Sequence, residues 1–478
     1  MDLERKQHRY EEVADSIAYM VDKGTFRVGD RIPSIRALSR QCNVSITTAM
    51  EAYRLLEDRG IVEARPQSGY YVRSSSFNRI AMPPIKKEEM SPVVCCVEKV
   101  VSKVFAHCTD PVMVQIGTNL PNTEFLPIDK ISRCLSSAVR KSGVQSVSYC
   151  FPGDDRLRAH IAKRATVMGC NLAPDDIMIT TGCQEGVSLA LKAICRPGDT
   201  VVIESPMFFN YLQIMNGMNL KVVEVPSSPE DGISIDALKY VLQDSKVNAC
   251  LLVPNYSNPL GSCMPDRNKQ ELARLLARHD IPLIEDDVYG DLSFTQQRPK
   301  SVKAFDDRGL VILCSSFSKT LAPGYRVGWM TSGRYREAIE HQKILNNIAS
   351  ATPTQLAVAE FLACGGYDHH LRKVRRAYAK NVSLMRDAIT RYFPEGTNVS
   401  RPSGAFFLWV EMPEHIDSLV LYGRARELGI SIAPGPIFSV REKFQNYIRL
   451  SAAYWNPRIE QAVKTIGSLA GQMGKGSC

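Results

Sequence analysis

The sequence has no apolar run approaching the ~20 residues that a membrane-spanning helix requires. Its first residues, Met1-Asp2-Leu3-Glu4-Arg5-Lys6, carry charge and lack the apolar centre of a secretory signal. A cytoplasmic protein without a membrane partner is expected. There is no Cys-x-x-Cys pair and no histidine cluster at zinc spacing, although the chain has 14 cysteines. Reduced thiols scattered through a core are expected, with Cys95 and Cys96 the most exposed, and no metal site. Internal repeats and low-complexity tracts are also missing, which excludes solenoid architectures. Nor is there a basic block at the start. The net charge is +9, yet residues 1–75 hold 12 Lys/Arg against 11 Asp/Glu. Bulk charge therefore identifies no nucleic-acid partner, and residue placement must carry that argument.

What is present is ordinary globular material: 478 residues, 44% hydrophobic and 23% charged, enough for two or three domains. Residues 8–24 have helical spacing at Tyr10, Val13, Ile17, Met20 and Val21. After the turn Gly29-Asp30-Arg31-Ile32-Pro33, Ser34 suits the N-cap of a short helix over Ile35–Gln41. Ser45 suits the cap of a third helix reaching about Arg59, with Ile46, Ala49, Met50, Tyr53 and Leu56 expected inward. Two short strands follow around Pro66-Gln67-Ser68-Gly69. Three helices and a hairpin make a winged helix-turn-helix, whose third helix enters the DNA major groove by its N-terminal end. Ser45, Thr47 and Thr48 suit phosphate contacts there, Arg36 and Arg65 can flank them, and the Gly69 backbone can approach a phosphate closely. The competing reading is a small protein-interaction module whose hydroxyls only cap helices.

This segment resembles the DNA-binding domain of the GntR family of bacterial regulators. The resemblance rests on Gly29–Ser39, Val44-Ser45-Ile46-Thr47-Thr48-Ala49 and Tyr53–Gly60. It implies DNA contacts at Arg36, Ser45, Thr47, Thr48 and Gly69. Ile46 departs from members that carry a basic residue there.

Residues 76–111 have linker composition, with Pro83-Pro84, Lys86-Lys87 and Glu88-Glu89 close together, and a short helix is expected at Val93–Phe105. The boundaries expected are 1–75, 76–111 and 112–472. From about residue 112, short apolar strands alternate with helical patterns, which predicts an α/β domain with a mostly parallel, covered sheet. Residues 404–454 read as a smaller α+β piece.

The unusual polar residues follow those strands, where ligands of such sheets gather. Thr181-Gly182-Cys183-Gln184 opens a helix and suits an anion. Phe208 suits stacking on a flat ring, and Asn258, before a proline, suits donation to an oxygen. Glu285-Asp286-Asp287 ends an apolar strand, where buried acids need partners, and Tyr289 follows. Ser315-Ser316-Phe317-Ser318-Lys319 then leads to Arg326. Singly, each has a bland alternative: a core or rim aromatic, a turn asparagine, a solvated acidic loop, a loop lysine. Jointly and in this order they suit pyridoxal phosphate (PLP). Its aldehyde needs an amine, its phosphate needs hydroxyls and an arginine, and its ring nitrogen needs a carboxylate. Arg449 is a candidate for a substrate carboxylate.

Residues 112–470 resemble a fold-type I, class I aminotransferase domain of the kynurenine/2-aminoadipate type. The resemblance implies Lys319 as the Schiff-base lysine, Asp286 on the ring nitrogen, and Asn258 and Tyr289 on the phenolic oxygen. It implies phosphate contacts from the Cys183 and Gln184 backbone and from Ser316, Ser318 and Arg326, with Phe208 stacked on the ring. Arg449 would hold a substrate carboxylate, and Tyr149 would reach the phosphate of the second subunit of a homodimer. The joined domains resemble the MocR subgroup of GntR regulators. The expected function is a PLP-dependent transcription regulator that binds a double-stranded operator and senses an amino acid or amine. The rival is a working PLP-dependent aminotransferase with an appended DNA-binding or assembly domain. A reading of both domains as relics is disfavoured by the costly polar residues that remain in register.

Overall fold

The computed structural model describes residues 9–27, 29–58, 61–65, 68–72, 81–83, 90–94, 112–295 and 297–473. The N-terminal part comprises α1 (Arg9–Asp22), α2 (Ile35–Gln41), α3 (Ile46–Asp58) and the antiparallel hairpin β1 (Val62–Arg65) and β2 (Gly69–Val72). Helical spacing brings Val13, Ala14 and Ile17 of α1 into one core with Leu38, Ala49, Ala52, Tyr53 and Leu56, closed by Ile32, Val62 and Val72. Ser34 Oγ accepts from the Ala37 amide at 3.2 Å, and Ser45 Oγ from the Thr48 amide at 3.0 Å, so both expected caps form. The expected inward stripe of α3 holds only in part: Met50 is half-buried and outside that core. Ile46 does not join the inward stripe but is 55% exposed. The buried stripe starts one turn later, at Ala49, and includes Ala52.

The expected helix at 93–105 is also corrected at its start. Val93 and Val94 form strand β3, antiparallel on Lys221 and Val222. Two β-branched residues beside an open sheet edge gain more from that ladder than from one helical turn. Residues 95–105, including Cys95 and Cys96, lie outside the described residues.

After β4 (Val114–Gln115), the large sheet is built from β5 (Ile177–Thr180), β6 (Thr200–Ser205), β7 (Lys221–Ser228), β8 (Gly232–Ile233), β9 (Ala249–Leu252), β10 (Leu283–Asp286), β11 (Val311–Ser316) and β12 (Gly328–Thr331). The order is β3-β7-β6-β9-β10-β11-β12-β5, with β8 on β7. Strands β7, β6, β9, β10 and β11 run parallel, and β12 is antiparallel to both β11 and β5. A parallel return needs a crossover of about a dozen residues or more, usually helical. The segment between β11 and β12 has only a short 3-10 turn, Pro323–Tyr325, so β12 reverses. Most strands are buried throughout, as helices on both faces require.

The helices Arg336–Asn347, Thr352–Ala363 and Gly366–Tyr392 lead to the smaller piece. There β13 (Asn398–Val399), β14 (Phe407–Glu411), β15 (Ile430–Ser431), β16 (Ala433–Pro434) and β17 (Tyr447–Ser451) accompany the helices Ser418–Glu427 and Pro457–Met473. An antiparallel sheet runs β13-β14-β17-β16, and β15 pairs in parallel with β4. Among the described residues no helix is long and apolar enough to cross a membrane.

Candidate functional site

Residues alternate across β10. Ile284 packs with Cys183 and Tyr211 on one side of the sheet, and Leu283 packs with Val302 on the other. The same alternation separates the acids. Glu285 turns away and accepts from Ser301 Oγ at 2.7 Å and from the Val302 and Lys303 amides. Asp287 is tied to Arg298 and accepts from Asn255 Nδ2 at 2.9 Å. Asp286 alone faces the helix Cys183–Ile194. Its Oδ1 accepts from Cys183 Sγ at 3.1 Å and from the Val288 amide at 3.0 Å, and its Oδ2 from the Tyr211 hydroxyl at 2.6 Å. Burial pushes the Asp286 carboxyl up, and these three donors oppose that push.

Lys319 follows β11 and donates from Nζ to the main-chain oxygen of Asn119 at 2.5 Å. Burial first, then the charge of Arg449, lowers its ammonium to about 8, with Asp286 opposing. Its Nζ lies 5.8 Å from the centre of the Tyr289 ring. The Tyr289 hydroxyl is bonded by Asn119 Nδ2 and by the Asn258 side chain. Arg449 reaches in from β17, donating to Asn258 Oδ1 at 3.0 Å and to Gly117 O at 2.5 Å. It is 2% exposed.

The anion side is a cradle of backbone and short polar groups. Gly182 has φ +83°, and a Cβ there would collide with the Arg326 guanidinium. A Cβ on Gly328 would collide with the Gly182 backbone, so both glycines are required by close approach. Arg326 donates to Ser318 Oγ at 3.1 Å and to Thr181 O at 3.2 Å. Ser316 Oγ lies 2.7 Å from Ser318 Oγ. Cys183 is buried and Gln184 exposed at the first turn of the helix. Phe208 is half-buried, edge-on to Tyr211 with ring centres 5.5 Å apart. Tyr149 stands apart at 80% exposure, in a surface stretch with Val144 and Val147 at 80% and 84%.

Lys319, Asp286, Tyr289, Asn258, Cys183, Ser316, Ser318, Arg326 and Arg449 thus come together, and Tyr149 does not join them. Sequence reasoning missed Tyr211 and Asn119. Tyr211 had a usable signal: it lies one helical turn after Phe208, and a buried tyrosine hydroxyl needs a partner. Asn119 had none, since its role depends on a contact 200 residues away.

On the winged helix, Ser45 Oγ lies 2.7 Å from Thr47 Oγ1 and 2.8 Å from Thr48 Oγ1 at the start of α3. Arg36 is exposed. Arg65 pairs with Glu63 at 2.8 Å and lies 4.4 Å over the Tyr71 ring. Gly69 has φ +109°, and the Arg31 side chain lies against it, a cation the sequence reading did not single out.

Fold and site together define a winged helix-turn-helix joined to an aminotransferase-type domain. Two family models match: gntR-family bacterial regulatory proteins over residues 9–72, and aminotransferase class I and II over residues 131–466. The chain is 37% identical to the uncharacterized HTH-type transcriptional regulator YjiR of Escherichia coli, over 96% of this chain and 98% of YjiR. It is 35% identical to YdcR of the same organism, over 96% and 98%. The aminotransferase part is similar to LysN, an alpha-aminoadipate aminotransferase of Thermus thermophilus, with TM-score 0.73 and 25% identity over 79% of this chain and 96% of that one. The LysN structure is complexed with N-(5'-phosphopyridoxyl)-L-leucine. The chain belongs to the GntR-type transcriptional regulators that carry a class I and II aminotransferase domain, the MocR-type architecture. That domain implies PLP, and the residues fit it: the glycine-opened cradle suits its phosphate, the buried Asp286 its ring nitrogen, and Lys319 its aldehyde.

Proposed function

We propose that the protein is a PLP-dependent transcription regulator. Residues 1–75 bind a double-stranded operator, residues 76–111 link, and residues 112–472 sense an amino acid or amine. The observation that carries the sensing role is the convergence of three ionisable groups, the half-buried Lys319 and the buried Asp286 and Arg449, with Lys319 and Arg449 both bonded to the 117–119 segment. Bound PLP supplies an aldehyde that exchanges amines and a ring that withdraws electrons. Lys319, with its ammonium lowered to about 8, has a larger neutral fraction near physiological pH than an ordinary lysine. Asp286 holds the ring nitrogen, while Tyr289 and Asn258 hold the phenolic oxygen. Ser316, Ser318, Arg326 and the amides of Cys183 and Gln184 hold the phosphate, with Phe208 against the ring. Arg449 binds an effector carboxylate with its planar fork.

On α3, Ser45, Thr47 and Thr48 contact DNA phosphates, flanked by Arg36, Arg65 and the Gly69 backbone. The working unit is a cytoplasmic homodimer, in which the exposed Tyr149 reaches the phosphate site of the second copy. The effector acts by binding differently to two arrangements of the dimer, one of which fits the operator. The test is DNA titration with and without candidate amino acids, in the wild type and Lys319→Ala. The wild type should change DNA affinity and the PLP spectrum together, and Lys319→Ala should keep DNA binding but lose the response. Fast turnover of amino and keto acids with DNA affinity indifferent to every ligand would replace this reading by the aminotransferase one.

A further inference from the structure

The Asp286 carboxylate already holds three donors inside the protein. A carboxylate has about four acceptor positions. Cys183 Sγ and the Val288 amide occupy two on Oδ1, at 3.1 and 3.0 Å, and the Tyr211 hydroxyl occupies one on Oδ2, at 2.6 Å. Tyr211 and Cys183 are 3% and 7% exposed, and Asp286 is 4% exposed, so water does not substitute for either donor. The arrangement is built from three elements. Asp286 ends β10, Cys183 opens the helix Cys183–Ile194, and Tyr211 lies in the helix Phe209–Gly217.

We propose that Tyr211, with Cys183 as its helper, is the positioning residue that keeps Asp286 ionised and aims its one remaining acceptor position at the PLP ring nitrogen. The inference rests on the reading that PLP occupies this site. A carboxylate and a pyridine share one proton, and its place depends on which of the two is the stronger base. Each donor to the carboxylate weakens it as a base and moves that proton onto the ring nitrogen. A neutral hydroxyl donating to a buried carboxylate is a strong, charge-assisted bond, so its loss is felt at the proton. Among the described residues the hydroxyl of Tyr211 bonds Asp286 and not Lys319 or Arg326, so its removal leaves the bonds of those two side chains in place. Phe208 packs edge-on against the same tyrosine, with ring centres 5.5 Å apart.

The experiment uses the full chain loaded with PLP labelled with 15N in the ring. In the wild type the nitrogen resonance should lie in the protonated range. In Tyr211→Phe, which keeps the ring and removes only the hydroxyl, it should move toward the unprotonated range. The amine-driven spectral change should slow roughly tenfold, the effect of one hydrogen bond to a charged group. Cys183→Ala should move the resonance in the same direction by less, and serves if Tyr211→Phe fails to fold. An unchanged resonance in both variants, with PLP bound, overturns the inference and leaves the PLP reading standing. A wild type that binds no PLP overturns both.

Discussion

Lys319 Nζ rests on the main-chain oxygen of Asn119 at 2.5 Å, and the side chain of that same asparagine bonds the Tyr289 hydroxyl. Two residues earlier, Gly117 O accepts from Arg449. The segment Gly117–Asn119 therefore lies directly on the amine and on the guanidinium to which the sensing role is proposed. Asn119→Ala should leave the main-chain bond but remove the bond to Tyr289. Equilibrium titration of PLP should show weaker binding by roughly three- to tenfold, with the operator affinity of the unliganded protein unchanged.

Borohydride reduction should fix PLP on Lys319, located by peptide mass spectrometry. The pH dependence has a definite sign. A lysine lowered from 10.5 to about 8 loses its proton as pH rises through about 8, so attachment should increase up to there and level off above. Absorbance of the bound cofactor against pH measures this. A label on another lysine would sink the assignment.

Asp286→Asn and Asp287→Asn should part company. The first places an amide among the donors of Cys183, Tyr211 and Val288 and weakens the hold on the ring nitrogen. PLP should bind at least ~10-fold more weakly, and the amine response should fall with it. The second breaks a buried pair with Arg298 and should cost about 3 kcal/mol of stability. Denaturant unfolding of the two variants separates the roles.

At the DNA surface, Thr47→Ala with Thr48→Ala should weaken operator binding while the PLP spectrum stays as it was. Arg65→Ala should weaken binding evenly across sequences and reduce the salt slope by about 1. Ser45→Ala removes the cap of α3 and should cost about 1 kcal/mol of stability in the N-terminal part. Salt-dependent DNA titration of the full chain is the measurement. Full-length protein without any salt-dependent DNA binding would remove the regulator reading.

Arg449→Lys should weaken any carboxylate-bearing effector by roughly ten- to a hundredfold, because the ammonium cannot reproduce the planar fork. An amine without a carboxylate should be nearly indifferent to it. Comparing the two effector classes by spectral titration tests whether Arg449 selects the ligand.

The sequence alone determined what depends on neighbours along the chain. Ser34 and Ser45 cap their helices because a hydroxyl three residues before an amide is a local geometry. The apolar strands, and the polar residues that follow them, were legible because unbroken apolar runs and sheet-end ligand sites are properties of short windows. What only the tertiary structure decided depends on distances between elements far apart in sequence. Ile46 is exposed because the partners of α3 begin at Ala49, and Val93 and Val94 form a strand because β7 offers them an edge. Of three consecutive acids, the strand's alternation and the helix packed against it give Asp286 to the site, Asp287 to Arg298 and Glu285 to the 301–303 turn. Asn119 and Tyr211 acquired their roles in the same way. A hydrogen bond needs its partner within about 3 Å, and Asn119 meets Lys319, 200 positions away, only where the folded chain brings the two together.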